Sequence, residues 1–205
     1  TMNLIEGARP IDTMEDQPEE TRIRLVVELL QALEYLHRGD ILHRDLKPGN
    51  VLVDSHGTVK ILDFGLSLAN NNSMSNMESG VPGTLAYMAP ELFQEQEATP
   101  QSDLYAVGII AFQLWAGRHP FNVKNIGALV MQIMSQPPDL LMIDSKIKTF
   151  VGRLLSKQPE ERYSSATEAI HQLCDIVGYP HPPETQAIRE SLLQAAPLIG
   201  REQEL

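Results

Sequence analysis

A mainly α fold with one short β-hairpin is what this 205-residue sequence predicts, and three observations carry it. Apolar residues recur at helical spacing in segment after segment. From Ser102 to Trp115 they lie all round the helical wheel, which marks a helix buried in the middle of a domain. Val51-Leu52-Val53 and Val59-Lys60-Ile61 flank the turn residues Asp54 to Gly57, which reads as a hairpin of β-branched residues.

In chain order, Ile23, Val26, Val27, Leu30 and Leu33 predict a helix over about 20–38. The acidic run Glu15 to Glu20 suits its N-terminus, and Gly39 supplies the stop. The hairpin at 51–61 follows. Residues 66–83, rich in Asn, Ser, Gly and Met without any period, predict a long exposed loop. After the buried helix at 102–115, further helices are predicted at 124–135, at 146–155 (Ile147, Phe150, Val151, Leu154, Leu155) and at 164–176 (Ala166, Ala169, Ile170, Leu173). Pro180, Pro182 and Pro183 break the pattern before a last amphipathic segment at 185–196.

Composition narrows the function. With 42% hydrophobic and 21% charged residues the chain has the make-up of a globular protein large enough for a sizeable core. Sixteen Lys and Arg stand against 27 Asp and Glu, a net charge of -11 that repels phosphate backbones and anionic lipid. The most apolar stretch, Val107 to Gly117, is about half the roughly 20 residues a membrane-spanning helix needs. Cys174 is the only cysteine, which excludes disulfide scaffolds and cysteine-ligated zinc. A threonine at position 1 and an apolar run from position 2 suggest an internal piece of a longer protein, expected in the cytoplasm.

His43-Arg44-Asp45-Leu46-Lys47-Pro48-Gly49-Asn50 lies between the first helix and the hairpin. Asp63-Phe64-Gly65 closes the hairpin thirteen residues after Asn50, and Ala89-Pro90-Glu91 follows the loop. In order and separation these three motifs resemble those of the eukaryotic-like, bacterial Ser/Thr protein kinases. The resemblance covers residues 1–176 and implies the large C-terminal lobe of that fold without its small lobe, because no Gly-rich phosphate loop or P-loop occurs in the chain. It implies ATP and Mg²⁺ as cofactors and a protein Ser/Thr hydroxyl as acceptor.

The residue types suit that chemistry. Phosphoryl transfer needs an acceptor oxygen held in line with the γ-phosphate and positive charge over the phosphate oxygens. By the resemblance, Asp45 accepts and orients the acceptor hydroxyl, Lys47 reaches the transferring phosphate, and Thr84 bridges Asp45 and Lys47. Asn50 and Asp63 are the metal ligands, offering the hard oxygens that Mg²⁺ takes. Asn3, Leu4 and Ile5 resemble the hinge that meets adenine, and Leu52 the pocket floor.

Other residues are expected to support rather than react. His43 packs beneath Phe64. Glu91 pairs with Arg162, and Asp103 and Gly108 anchor the catalytic loop. Arg44 marks the subclass whose activation loop is organised by a phosphate, with Ser67, Ser73, Ser75, Ser79 and Thr84 as available hydroxyls. Residues 177–197 read as a linker with a short helix, and 198–205 resemble the opening of an AAA-like signalling ATPase module. The alternative is a pseudokinase or binding module using the same fold as a scaffold. Retention of Asp45, Lys47, Asn50 and Asp63 together argues against it.

Overall fold

A computed structural model describes residues 7–62 and 82–182. The first helix, α1 (Glu19–Arg38), opens with Glu19 and Glu20 at its positive end and closes with His37 and Arg38 at its negative end. Gly39 ends it by returning its amide to Leu36 O at 3.0 Å, but the left-handed turn beyond falls to Asp40, at φ 55°. The buried surface of α1 is wider than a single stripe, taking in Leu25, Leu29 and Ala32 besides the predicted positions. It is wide because α1 packs against helices and the sheet on different sides.

The hairpin forms where it was expected, as β2 (Val51–Val53) and β3 (Val59–Ile61). A two-residue strand that the sequence does not announce, β1 (Arg9–Pro10), pairs with Leu52 and Val53 to complete an antiparallel sheet of order β1-β2-β3. Asp54 Oδ1 accepts from the amides of His56 and Thr58, both at 2.9 Å, and Gly57 takes φ 77°, so the turn is held by its own side chain. Two residues of α1 then clamp the hairpin. Arg24 donates to Gly57 O and to Glu28, both at 2.7 Å, and Glu28 Oε2 accepts from the Val59 amide at 2.9 Å.

The short helix α2 (Pro82–Leu85) begins inside the region predicted as loop, and the residues of that loop from 66 to 81 lie outside the described part. The central helix α3 (Pro100–Ala116) is buried without interruption from Ser102 to Phe112. Thr99 and Ser102 cap its start reciprocally, and Gly117 ends it at φ 63°. Around it stand α4 (Ile126–Ser135), α5 (Ser145–Leu154) and α6 (Ala166–Val177), capped by Asn125, Asp144 and Ser165. These match the predicted segments to within two residues. The amphipathic segment at 185–196 lies outside the described residues, and no described helix is long and apolar enough to cross a membrane.

Gly108 has a packing role in α3. A Cβ there would lie 2.8 Å from Leu154 Cβ and 2.9 Å from Leu155 Cδ2. Its absent side chain is what lets α3 and α5 approach. Gly108→Ala should therefore lower stability by about 1–3 kcal/mol, the usual result of overpacking a tight core. Thermal unfolding followed by circular dichroism reads this directly.

Candidate active site

The loop from His43 to Asn50 is fixed from below by α3. Asp103, buried near the start of that helix, accepts the His43 amide at 2.9 Å on Oδ2 and the Arg44 amide at 3.0 Å on Oδ1. His37 from α1 meets the same Oδ2 through Nε2 at 2.9 Å. Arg44 sits at φ 66°, a left-handed conformation that costs a non-glycine residue about 1–3 kcal/mol. The two amide bonds to a carboxylate on the most buried helix offset that strain. Asp103 is the anchor the sequence predicted; His37 was not foreseen, though it lies one turn beyond Leu33 on the buried face of α1.

His43 is buried, with Nε2 3.1 Å from Leu62 O, while Nδ1 accepts the Asp45 amide at 3.4 Å. An Nε2–H tautomer satisfies both contacts. The ring therefore ties the loop to the end of the hairpin, as its expected structural role requires; Phe64 lies outside the described residues.

Above this base, Lys47, Asp45, Asn50 and Thr84 converge. Lys47 Nζ donates to Asp45 Oδ2 at 2.8 Å and Oδ1 at 3.1 Å, and to Thr84 Oγ1 at 2.9 Å. Lys47, rather than Thr84, is thus the bridge: Thr84 meets the lysine and makes no bond to Asp45. Asn50 Nδ2 donates to Asp45 O at 2.8 Å and to Oδ2 at 3.0 Å. The turn Pro48–Asn50 brings it there, with the Asn50 amide on Lys47 O at 2.8 Å. Of the lone pairs on the Asp45 carboxylate, Oδ2 uses two and Oδ1 one, so Oδ1 can still accept a hydroxyl proton.

Leu52 is half-buried on the face of β2 opposite Val51 and Val53. Asp63, Asn3, Leu4 and Ile5 lie outside the described residues, as do Ser67, Ser73, Ser75 and Ser79.

A cleft leads from Asp45 and Thr84 to Tyr87, Met88 and Leu92. The Tyr87 hydroxyl donates to Gln113 Oε1 at 2.9 Å, and burial pushes its pKa up to about 12, keeping it a donor at any ordinary pH. Below the cleft, Glu91 and Arg162 form the predicted pair in bidentate geometry, Oε1 to Nη1 at 2.8 Å and Oε2 to Nη2 at 2.7 Å. Ser102 adds a third bond to Glu91 at 2.8 Å, and Arg162 also donates to the carbonyls of Gln101 and Ser156, each at 2.9 Å. Nothing in the local sequence announces those additional partners, which only the tertiary fold brings together.

Comparison with known proteins places this geometry. The chain is 29% identical over 98% of its length to the serine/threonine-protein kinase PknA of Corynebacterium glutamicum, covering 45% of that protein. It is 34% identical over 75% of its length to the probable serine/threonine-protein kinase pknA2 of Bifidobacterium longum, covering 21% of it. It is 38% identical over 72% of its length to serine/threonine-protein kinase 36 of Mus musculus, covering 11% of it. The chain therefore spans less than half the length of these relatives. The family described as protein kinase domain matches residues 3–174, and with most of its length so matched the chain belongs to the protein kinase family.

Proposed function

We propose that the protein carrying this chain transfers the γ-phosphate of ATP to Ser or Thr hydroxyls of protein substrates, with Mg²⁺, and that the chain supplies the hinge and large lobe. The convergence of Lys47 on both Asp45 and Thr84 carries this reading. Asp45 Oδ1 orients the acceptor hydroxyl and takes its proton as the oxygen attacks. Lys47 has three N–H groups; those on Asp45 Oδ2 and Thr84 hold it in place, and the third, at the longer 3.1 Å from Oδ1, turns to a phosphate oxygen. Thr84 fixes, relative to that ammonium, the segment from Gly83 to Met88, which resembles the part of the family's fold that receives the substrate residue after the phosphoacceptor.

Asn50 fits a metal-ligand role, because its amide nitrogen is committed to Asp45 and no described residue donates to its Oδ1. A hard, neutral oxygen with free lone pairs suits Mg²⁺. With Asp63 as the second ligand, the bound ion would draw charge off the phosphate oxygens. Asn3, Leu4 and Ile5 as adenine contacts, Leu52 as pocket floor, a linker at 177–197 and an ATPase module opening at 198–205 belong to the same proposal, the last two supported by the proline break at Pro180, Pro182 and Pro183.

Incubation of the full-length protein with labelled Mg-ATP and a generic protein substrate, followed by phosphoamino-acid analysis, is expected to give phosphoserine and phosphothreonine. Phosphotyrosine as the main product would overturn the specificity. Nucleotide binding with no transfer to any hydroxyl would favour the scaffold reading instead.

A further inference from the structure

His119 has no part in the chemistry above, yet it reaches the substrate-receiving segment. It lies in the loop between α3 and α4, two residues beyond the helix end at Gly117. Nε2 is 3.0 Å from Ala86 O, and Nδ1 is 3.1 Å from both the amide nitrogen and the carbonyl oxygen of Phe121. A neutral imidazole carries one N–H. On Nε2 that proton serves the Ala86 carbonyl and leaves Nδ1 to accept from the Phe121 amide. On Nδ1 it would serve Phe121 O alone and strand the other two groups. The ring also stands edge-on to Tyr87, centroids 5.7 Å apart at 87°, and is tilted against Phe121 at 6.0 Å. Ala86 and Tyr87 are two and three residues beyond Thr84, whose hydroxyl is held by Lys47. One side chain therefore ties the backbone and one ring of the substrate-receiving segment to the α3–α4 loop.

We propose that His119, as the neutral Nε2–H tautomer, is a positioning residue for the protein substrate, holding Ala86 and Tyr87 in the register that receives the residue after the phosphoacceptor. The inference rests on the kinase reading given above. Burial, rather than a neighbouring charge, favours the neutral form of the ring. Lys157 Nζ lies over the Phe121 ring, 4.6 Å from its centroid, and Arg118 precedes His119 with its guanidinium over Phe112. Tyr87 is engaged with Gln113, and Asp12 acts on the Tyr87 hydroxyl rather than on the imidazole. Among the described residues no carboxylate is bonded to the ring. Burial keeps its pKa below the ordinary histidine value of 6.5, against the pull of the Phe121 and Ala86 backbone bonds. Acidification below that range puts a proton on Nδ1 and removes the acceptor of the Phe121 amide, so the tie is lost at its α3–α4 loop end while Nε2–H still donates to Ala86 O.

The test measures KM for a peptide substrate, KM for Mg-ATP and kcat between pH 5 and 8 in the full-length protein, for the wild type, His119→Ala and His119→Asn. Asparagine can donate and accept but does not titrate. Expected are a peptide KM about tenfold higher in His119→Ala, the scale of one or two lost hydrogen bonds, with KM for Mg-ATP unchanged. The wild-type peptide KM should rise as pH falls, and the His119→Asn value should stay flat. A peptide KM indifferent to His119→Ala, or the same acid rise in His119→Asn, would overturn the inference. Long-range ¹H–¹⁵N spectra of the wild-type imidazole at pH 7.5 give a readout independent of catalysis and of variant folding. An Nε2–H signal supports the assignment, and an Nδ1–H or imidazolium signal overturns it. Absence of any phosphotransfer by the wild type would sink the kinase reading, and the spectrum would still report separately on the tie to Ala86.

Discussion

Asp45→Asn in the full-length protein should lower phosphotransfer by about 10²- to 10⁴-fold, the range expected when a positioned general base is removed. The affinity for Mg-ATP should stay close to that of the wild type. The amide keeps the shape of the carboxylate and can still accept from Lys47 or Asn50 through its single oxygen. It cannot take the acceptor proton, and it offers Lys47 no ion pair in place of the contacts at 2.8 and 3.1 Å. Asp63→Ala should behave differently, weakening Mg-ATP binding itself through the loss of a metal ligand. A coupled ADP-release assay beside a nucleotide-binding titration separates the two, and equal loss of nucleotide affinity in both variants would refute the division of roles.

The second large effect concerns stability. Glu91→Ala should destabilise the fold by about 3–5 kcal/mol, because it leaves the guanidinium of Arg162, a residue only 1% exposed, without its counter-charge. At roughly 2–4 °C per kcal/mol for a chain of this size, the thermal midpoint should fall by at least 6 °C. Replacing Glu91 and Arg162 together with methionines should cost clearly less, since no buried charge is then stranded. A double replacement as damaging as the single one would show that packing, not charge, dominates there.

The pair also sets an acid dependence. Burial tends to raise the Glu91 pKa, but the hydrogen bonds and charge of Arg162, with Ser102, outweigh it and hold the carboxyl below its ordinary value of 4.5. The unfolded chain thus binds this proton more readily than the folded one. The stabilisation is complete above about pH 4.5 and is lost as pH falls through the lower, folded value. Thermal melts of the wild type between pH 3 and 6 should show that loss, and Glu91→Ala should lack this component of it.

How far the fold could be read in advance depended on where its determinants lie. α1, α3, α5 and α6 are written in the local spacing of residues such as Val26, Leu30, Phe150 and Leu154, and their ends in Gly117, Asp144 and Ser165. β1 is not legible, because Arg9 and Pro10 become a strand only through pairing with Leu52 and Val53, more than forty positions away. The start of α2 was lost among loop-forming residues. At the site, Asp45, Lys47, Asn50 and Thr84 were identifiable by type and order. The direction of their bonding was not, which is why Thr84 was expected between Asp45 and Lys47 when the lysine occupies the middle. His37 and His119 were not legible because each acts on a group far along the chain, and a single histidine in a helix or loop carries no spacing signal; Ser102 stands at capping distance from Thr99, but its bond to Glu91 is made only by the fold.

The hydrogen bond from the Val59 amide to Glu28 bears on how this protein behaves when crowded. Among the described residues β3 is one of the two outer strands of its small sheet, and an outer strand with free main-chain donors is a template on which another chain can build. Glu28 occupies one of those donors with a negatively charged group, and Arg24 takes the carbonyl of Gly57 at the turn. An incoming strand would have to displace a carboxylate to dock. The same two helix residues that hold the hairpin in place therefore also discourage edge-to-edge assembly, so their loss would be felt as aggregation at high concentration.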